Sequence, residues 1–213
     1  MTRPVDGQVQ LALMIDLDRC IGCHACTVAC QIEHNDPRDV KRIRVPTIGS
    51  GHHDIPAGTY PNVWMYFQPR MCQHCTDAPC IASCPFEAIE KGPDGVVRII
   101  DANCTGCMAC VPACPYGVIE IKAEERLVAI CDLCSSRLAV GLQPACVGAC
   151  PGEAIFFGDL LDMDSDINVQ RRHVPKQTFN LAGGGHSHDR PSTLYQSRKP
   201  KRAEDQTIVA VER

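Results

Sequence analysis

Sixteen cysteines in 213 residues constrain this chain more than any other feature of it. They fall into four groups of four with none left over: Cys20, Cys23, Cys26, Cys30; Cys72, Cys75, Cys80, Cys84; Cys104, Cys107, Cys110, Cys114; and Cys131, Cys134, Cys146, Cys150. Cysteine at this density is a mark of disulfide scaffolds and metal-cluster proteins. Aromatic residues make up only 5% of the chain, so it buries little large apolar surface, and cross-links of some kind must supply part of its stability.

Groups one and three have the spacing C-x2-C-x2-C-x3-C, and group three continues into Pro115, the run found in bacterial ferredoxins. Three thiolates so closely spaced wrap one face of an iron-sulfur cubane. Gly22 and Gly106, between the first two cysteines, give the loop positive dihedrals and close approach. The fourth cysteine lies too far along the turning chain for the same cube and reaches a second cluster, so motifs work in pairs. Groups two and four stretch the second gap (Cys75 to Cys80, Cys134 to Cys146), which costs little extra loop-closure entropy. Zinc sites combine two separated C-x2-C knuckles, a different pattern, and cysteines this close bridge poorly as disulfides. Four 4Fe-4S clusters are therefore expected, with a zinc or disulfide structural module as the alternative from another class. The formal charge of −4 becomes roughly −12 when each cluster with its thiolates adds about −2. Nucleic acid is not expected as a partner.

The flanks repeat too. Leu13-Met14-Ile15-Asp16 and Val96-Val97-Arg98-Ile99-Ile100-Asp101 read as short strands feeding metal loops. Cys84-Pro85, Cys114-Pro115 and Cys150-Pro151 end the short helices that carry the fourth thiolates, whereas Cys30 is followed by Gln31. Residues 31–71 read as an inserted hairpin or loop with one strand over 62–68, and residues from about Asp159 onward as a polar tail that docks on a partner. His24 and His74 sit inside motif loops, where they replace a thiolate, tune a potential or simply pack. His186 and His188 offer adventitious metal binding at most, and Arg198 to Arg202 a docking run. No stretch approaches the roughly 18 apolar residues of a membrane span, and no secretory core or twin arginine is visible. The expectation is a soluble or membrane-peripheral chain, cytoplasmic or co-exported with a partner.

Pro69-Arg70-Met71-Cys72-Gln73-His74-Cys75, Ala78-Pro79-Cys80, Ala113-Cys114-Pro115-Tyr116-Gly117, Pro144-Ala145-Cys146 and Phe156-Phe157-Gly158-Asp159-Leu160 resemble the four-cluster electron-transfer subunit of molybdopterin oxidoreductases of the dimethyl sulfoxide and polysulfide reductase type. The resemblance covers residues 11 to about 168; beyond Asn168 it touches only Pro191-Ser192-Thr193-Leu194-Tyr195. It implies an α+β fold of tandem ferredoxin-like modules: 11–30 with 127–160 (groups one and four), 72–126 (groups two and three), 31–71 as insert and 161–213 as extended tail. It also implies four ligand sets. Cys20, Cys23, Cys26 and Cys150 hold cluster 1, and Cys131, Cys134, Cys146 and Cys30 cluster 2. Cys72, Cys75, Cys80 and Cys114 hold cluster 3, and Cys104, Cys107, Cys110 and Cys84 cluster 4. The implied partners are a large molybdopterin subunit with molybdenum or tungsten, and a membrane quinone-reactive subunit or a soluble carrier. No catalytic residue is expected in this chain; a hydrogenase or other dehydrogenase polyferredoxin is the runner-up.

Overall fold

The computed structural model describes residues 9–50, 52–173, 176–181 and 190–198. His186, His188, the glycines at 183–185 and the basic residues 199–202 lie outside the described residues. In chain order the elements are β1 (Leu11–Asp16), α1 (Ala25–Glu33), β2 (Thr47–Ile48), β3 (Tyr66–Phe67), α2 (Pro79–Ala82), β4 (Ile89–Lys91), β5 (Val97–Ile99) and α3 (Cys110–Ala113). They continue with β6 (Glu120–Lys122), β7 (Leu127–Ala129), α4 (Ser135–Leu138), α5 (Ala145–Gly148), β8 (Ile155–Asp159), α6 (Asp166–His173), β9 (Gln177–Phe179) and β10 (Leu194–Ser197).

Proline sets the helix lengths. α3 stops at Cys114 ahead of Pro115, and α2 and α5 end two residues before Cys84 and Cys150, so these fourth cysteines sit just past their helices rather than within them. Group one has no such proline, and α1 runs on through Cys30 to Glu33.

β1 lies inside a four-stranded sheet of order β8-β1-β10-β9, antiparallel to β8 (Ile15 opposite Ile155) and parallel to β10 (Ile15 opposite Tyr195). This joins the strand before group one to the strand after group four. The other half carries two hairpins, β4–β5 and β6–β7. Leu13, Ile15, Ile43, Met71, Val96, Leu133 and Tyr195 are all at or near zero exposure and share one core with the cysteines. Each such side chain contributes on the order of 1.5–3 kcal/mol.

Residues 161–213, expected as an extended tail, contain in their described part a helix and two strands. β10 is built into the sheet beside β1. Its polar residues are buried because they have partners: Gln196 Nε2 donates to Asp16 Oδ2 at 3.2 Å and Ser197 Oγ to Asp18 Oδ1 at 2.9 Å. Lys176 also ion-pairs with Asp16. The insert differs as well. The strand expected over 62–68 is confined to Tyr66–Phe67, paired with β2, and the segment ties the halves together. Arg44 grips Glu120 of β6 through two 2.6 Å hydrogen bonds. Arg42 donates to the Ile130 carbonyl at 2.9 Å while pairing with the fully buried carboxylate of Asp36.

Candidate metal centres

The loops repeat one backbone device. The residue before the second cysteine of each C-x-x-C step has positive φ: Gly22 at 69°, His74 at 45°, Gly106 at 68° and Leu133 at 56°. A Cβ on Gly106 would fall 1.9 Å from the Arg126 carbonyl oxygen, and one on Gly22 2.5 Å from the Phe67 ring, so glycine is required there. The conformation turns the N–H back toward the first sulfur; His74 N–H donates to Cys72 Sγ at 3.4 Å. A second copy follows the fourth cysteines, where Glu87, Gly117 and Glu153 have positive φ. Beyond two of them, Ala88 N–H reaches Cys84 Sγ at 3.3 Å and Ala154 N–H reaches Cys150 Sγ at 3.2 Å. Sulfurs that accept N–H bonds are prepared to carry negative charge.

The sixteen cysteines form no disulfide. Cys20, Cys23, Cys26 and Cys150 line one hollow with Val45, Pro69 and Ile155. Cys72, Cys75, Cys80 and Cys114 line a second with Tyr116, Val118 and Ile130, and Cys84, Cys104, Cys107 and Cys110 a third with Phe86, Ile89 and Val128. The remaining four face one another: burial raises the Cys30 thiol and Cys131 and Cys134 raise it further, while Cys146, raised well above its usual value by burial, is also pushed by Cys131, Cys134 and Cys30.

Cysteines lining different hollows also influence one another. Cys146 feels Cys26, Cys72 feels Cys131, and Cys80, lifted to about 11 chiefly by burial, feels Cys114 and then Cys110. Burial takes Cys26 to about 11 and Cys131 to about 12, with neighbouring cysteines adding. Apolar hollows ringed by crowded thiols that resist ionising alone suit a group bringing several positive charges of its own. The donors fit an iron-sulfur cluster. Cys23 and Cys107 are exposed, whereas Cys30, Cys72, Cys75, Cys131, Cys134 and Cys146 are buried and Cys80 and Cys114 half-buried.

Sequence reasoning missed a strap of polar residues. His34 Nε2 and Asp132 Oδ1 are 2.9 Å apart, His34 Nδ1 lies 2.9 Å from the Cys30 carbonyl oxygen, and the Asp132 carboxylate accepts from Cys134 N–H at 2.9 Å. Burial opposes charge on both, yet their mutual hydrogen bond wins: Asp132 falls to about 2 and His34 rises above its usual value. The pair laces the loop of group four to the helix of group one. Of the two motif-loop histidines, His24 is exposed beside the first hollow. His74 is fully buried, held neutral by a pKa pushed down to about 3, mainly by burial, and its Nδ1 accepts from Val97 N–H at 3.1 Å. Neither stands where a thiolate is lacking.

Two family models match, both described as 4Fe-4S dicluster domains, over residues 19–88 and 63–160. Among similar proteins, a tetrathionate reductase subunit of Salmonella typhimurium is 39% identical over 73% of this chain, which spans 60% of that relative. The electron transfer subunit of thiosulfate reductase from Salmonella typhi is 36% identical over 82% of this chain and 88% of its own. The arsenate respiratory reductase iron-sulfur subunit of a Shewanella strain is 31% identical, with coverage of 83% and 94%.

Proposed function

Because this chain belongs to the family of iron-sulfur, electron-transfer subunits that carry 4Fe-4S dicluster domains in oxidoreductase complexes, we propose that it relays electrons through four clusters between a molybdopterin subunit and a second redox partner. The chain itself is a non-catalytic electron-transfer subunit. Each cluster, when bound, takes up and releases one electron without a chemical transformation of substrate.

The ligand sets proposed are Cys20, Cys23, Cys26 and Cys150; Cys131, Cys134, Cys146 and Cys30; Cys72, Cys75, Cys80 and Cys114; and Cys104, Cys107, Cys110 and Cys84. Three of these sets each lining its own apolar hollow is the observation that carries the proposal. The electrostatic influence of Cys26 on Cys146, of Cys131 on Cys72 and of Cys110 on Cys80 favours a linear order from cluster 1 to cluster 4. The protein's share of the work is spacing, ligation and exclusion of water from the inner sites, with the exposed cysteines Cys23 and Cys107 at the two ends for exchange. Exposed apolar residues flank both ends: Ile21 and Val28 near Cys23, Phe86 near Cys107. Such patches suit protein partners. Among the described residues no helix is long and apolar enough to cross a membrane.

Purifying the native complex anaerobically tests the partner. Molybdenum or tungsten in the large subunit, with visible absorbance of this chain bleached by dithionite, is the expected result. Nickel in place of both metals would assign the chain to a hydrogenase.

A further inference from the structure

Lys91, on β4, is a half-buried ammonium with an unusual set of partners. Its Nζ donates to the carbonyl oxygens of His74 at 3.1 Å and Cys75 at 3.0 Å. Among the described residues no carboxylate lies within ion-pair distance of it. The nearest acidic influence, Asp77, is engaged by Arg190 at 2.9 Å. Removing a lysine from water without a carboxylate is costly, and half-buried ammonium groups are ordinarily matched by negative charge. Burial pushes the Lys91 ammonium toward losing its charge, and the groups that oppose this are Cys75 and Cys72, when ionised as ligands, followed by Asp77. At the neighbouring site the charges are matched in pairs: Arg42 with Asp36, and Asp132, which lies against Cys131 and Cys134, with His34.

We propose that Lys91 is a positioning residue that sets the reduction potential of cluster 3, holding the Cys72–Cys75 loop by its two carbonyls and placing an unmatched positive charge beside that cluster. This rests on the ligand set proposed above. Reduction of a cluster held by Cys72, Cys75, Cys80 and Cys114 would add one negative charge there, and the Lys91 ammonium would favour that state, raising the potential above its value without the lysine.

The test uses the complex with its large subunit, in wild-type, Lys91→Gln and Lys91→Arg forms, by anaerobic redox titration followed with electron paramagnetic resonance. Gln keeps a donor and loses the charge; Arg keeps the charge. In Lys91→Gln, at the wild-type midpoint of the affected cluster, the ratio of reduced to oxidised should fall about tenfold, equivalent to 59 mV for one electron. Iron content should be unchanged, and Lys91→Arg should stay near wild type. The shifted signal should be the one lost or converted in Cys80→Ser. Full iron content with no midpoint moved, an equal shift in Lys91→Arg, or a shift in a signal that survives Cys80→Ser would each overturn the role of Lys91. A wild-type complex without cubane signals would instead remove the ligand sets on which it stands.

Discussion

A Cys146→Ser chain is expected to lose cluster 2 and, with it, conduction through the whole molecule. Cys146 is 3% exposed and its thiol faces Cys131, Cys134, Cys30 and Cys26, so the lost ligand lies where no water can replace it. Iron should fall from about sixteen to about twelve atoms per chain. Turnover of the complex with a donor that enters at the far end should drop to background, while a small dye that reduces the catalytic subunit directly should still support it. Cys107→Ser is the contrasting case: Cys107 is exposed, so one terminal cluster should be lost or converted while the module built from groups one and four keeps its clusters. Equal iron content and equal turnover in Cys146→Ser and wild type would contradict the assignment of Cys146.

Tyr195→Ala should be the most damaging substitution outside the cysteines. Tyr195 is fully buried in β10, stacks on Phe179 with ring centroids 6.1 Å apart, and donates its hydroxyl to the Pro69 carbonyl at 2.8 Å. Deleting a buried ring of this size costs about 3–5 kcal/mol, a large part of the roughly 5–15 kcal/mol that holds a typical domain together. The neighbouring Thr193 Oγ1 and Ser192 Oγ donate to the Cys72 and His74 carbonyls at 3.1 and 3.0 Å. Loosening β10 therefore loosens a ligand loop of group two as well as the sheet beside group one. The urea midpoint for loss of cluster absorbance should fall sharply in Tyr195→Ala and much less in Tyr195→Phe, which forfeits one hydrogen bond worth about 1–3 kcal/mol when its acceptor stays buried. An unchanged midpoint in Tyr195→Ala would show that β10 is not integral to the cluster-bearing fold.

Much of the site was legible because cluster ligation is local. In groups one and three, three thiols meet within one loop, so their spacing is written into seven consecutive residues, and Gly22 and Gly106 mark the positive dihedrals that the loop needs. The same conformation at His74 and Leu133 carries no glycine signal; burial and neighbouring hydrogen bonds impose it on residues that would not choose it. β10 escaped notice for a different reason. It pairs with β1 from the far end of the chain, and its residues Leu194-Tyr195-Gln196-Ser197 look like polar tail until Asp16 and Asp18 are seen to receive them. Likewise nothing local distinguishes Lys91 from any surface lysine. Its meaning comes from the two carbonyls above it and the absence of a carboxylate within reach among the described residues.

Iron and acid-labile sulfide, measured on the anaerobically purified full-length chain, bear most directly on the whole account. About sixteen of each per chain, with no zinc in stoichiometric amount, is the result predicted. A colourless protein whose cysteines hold zinc, or no metal at all, would contradict it.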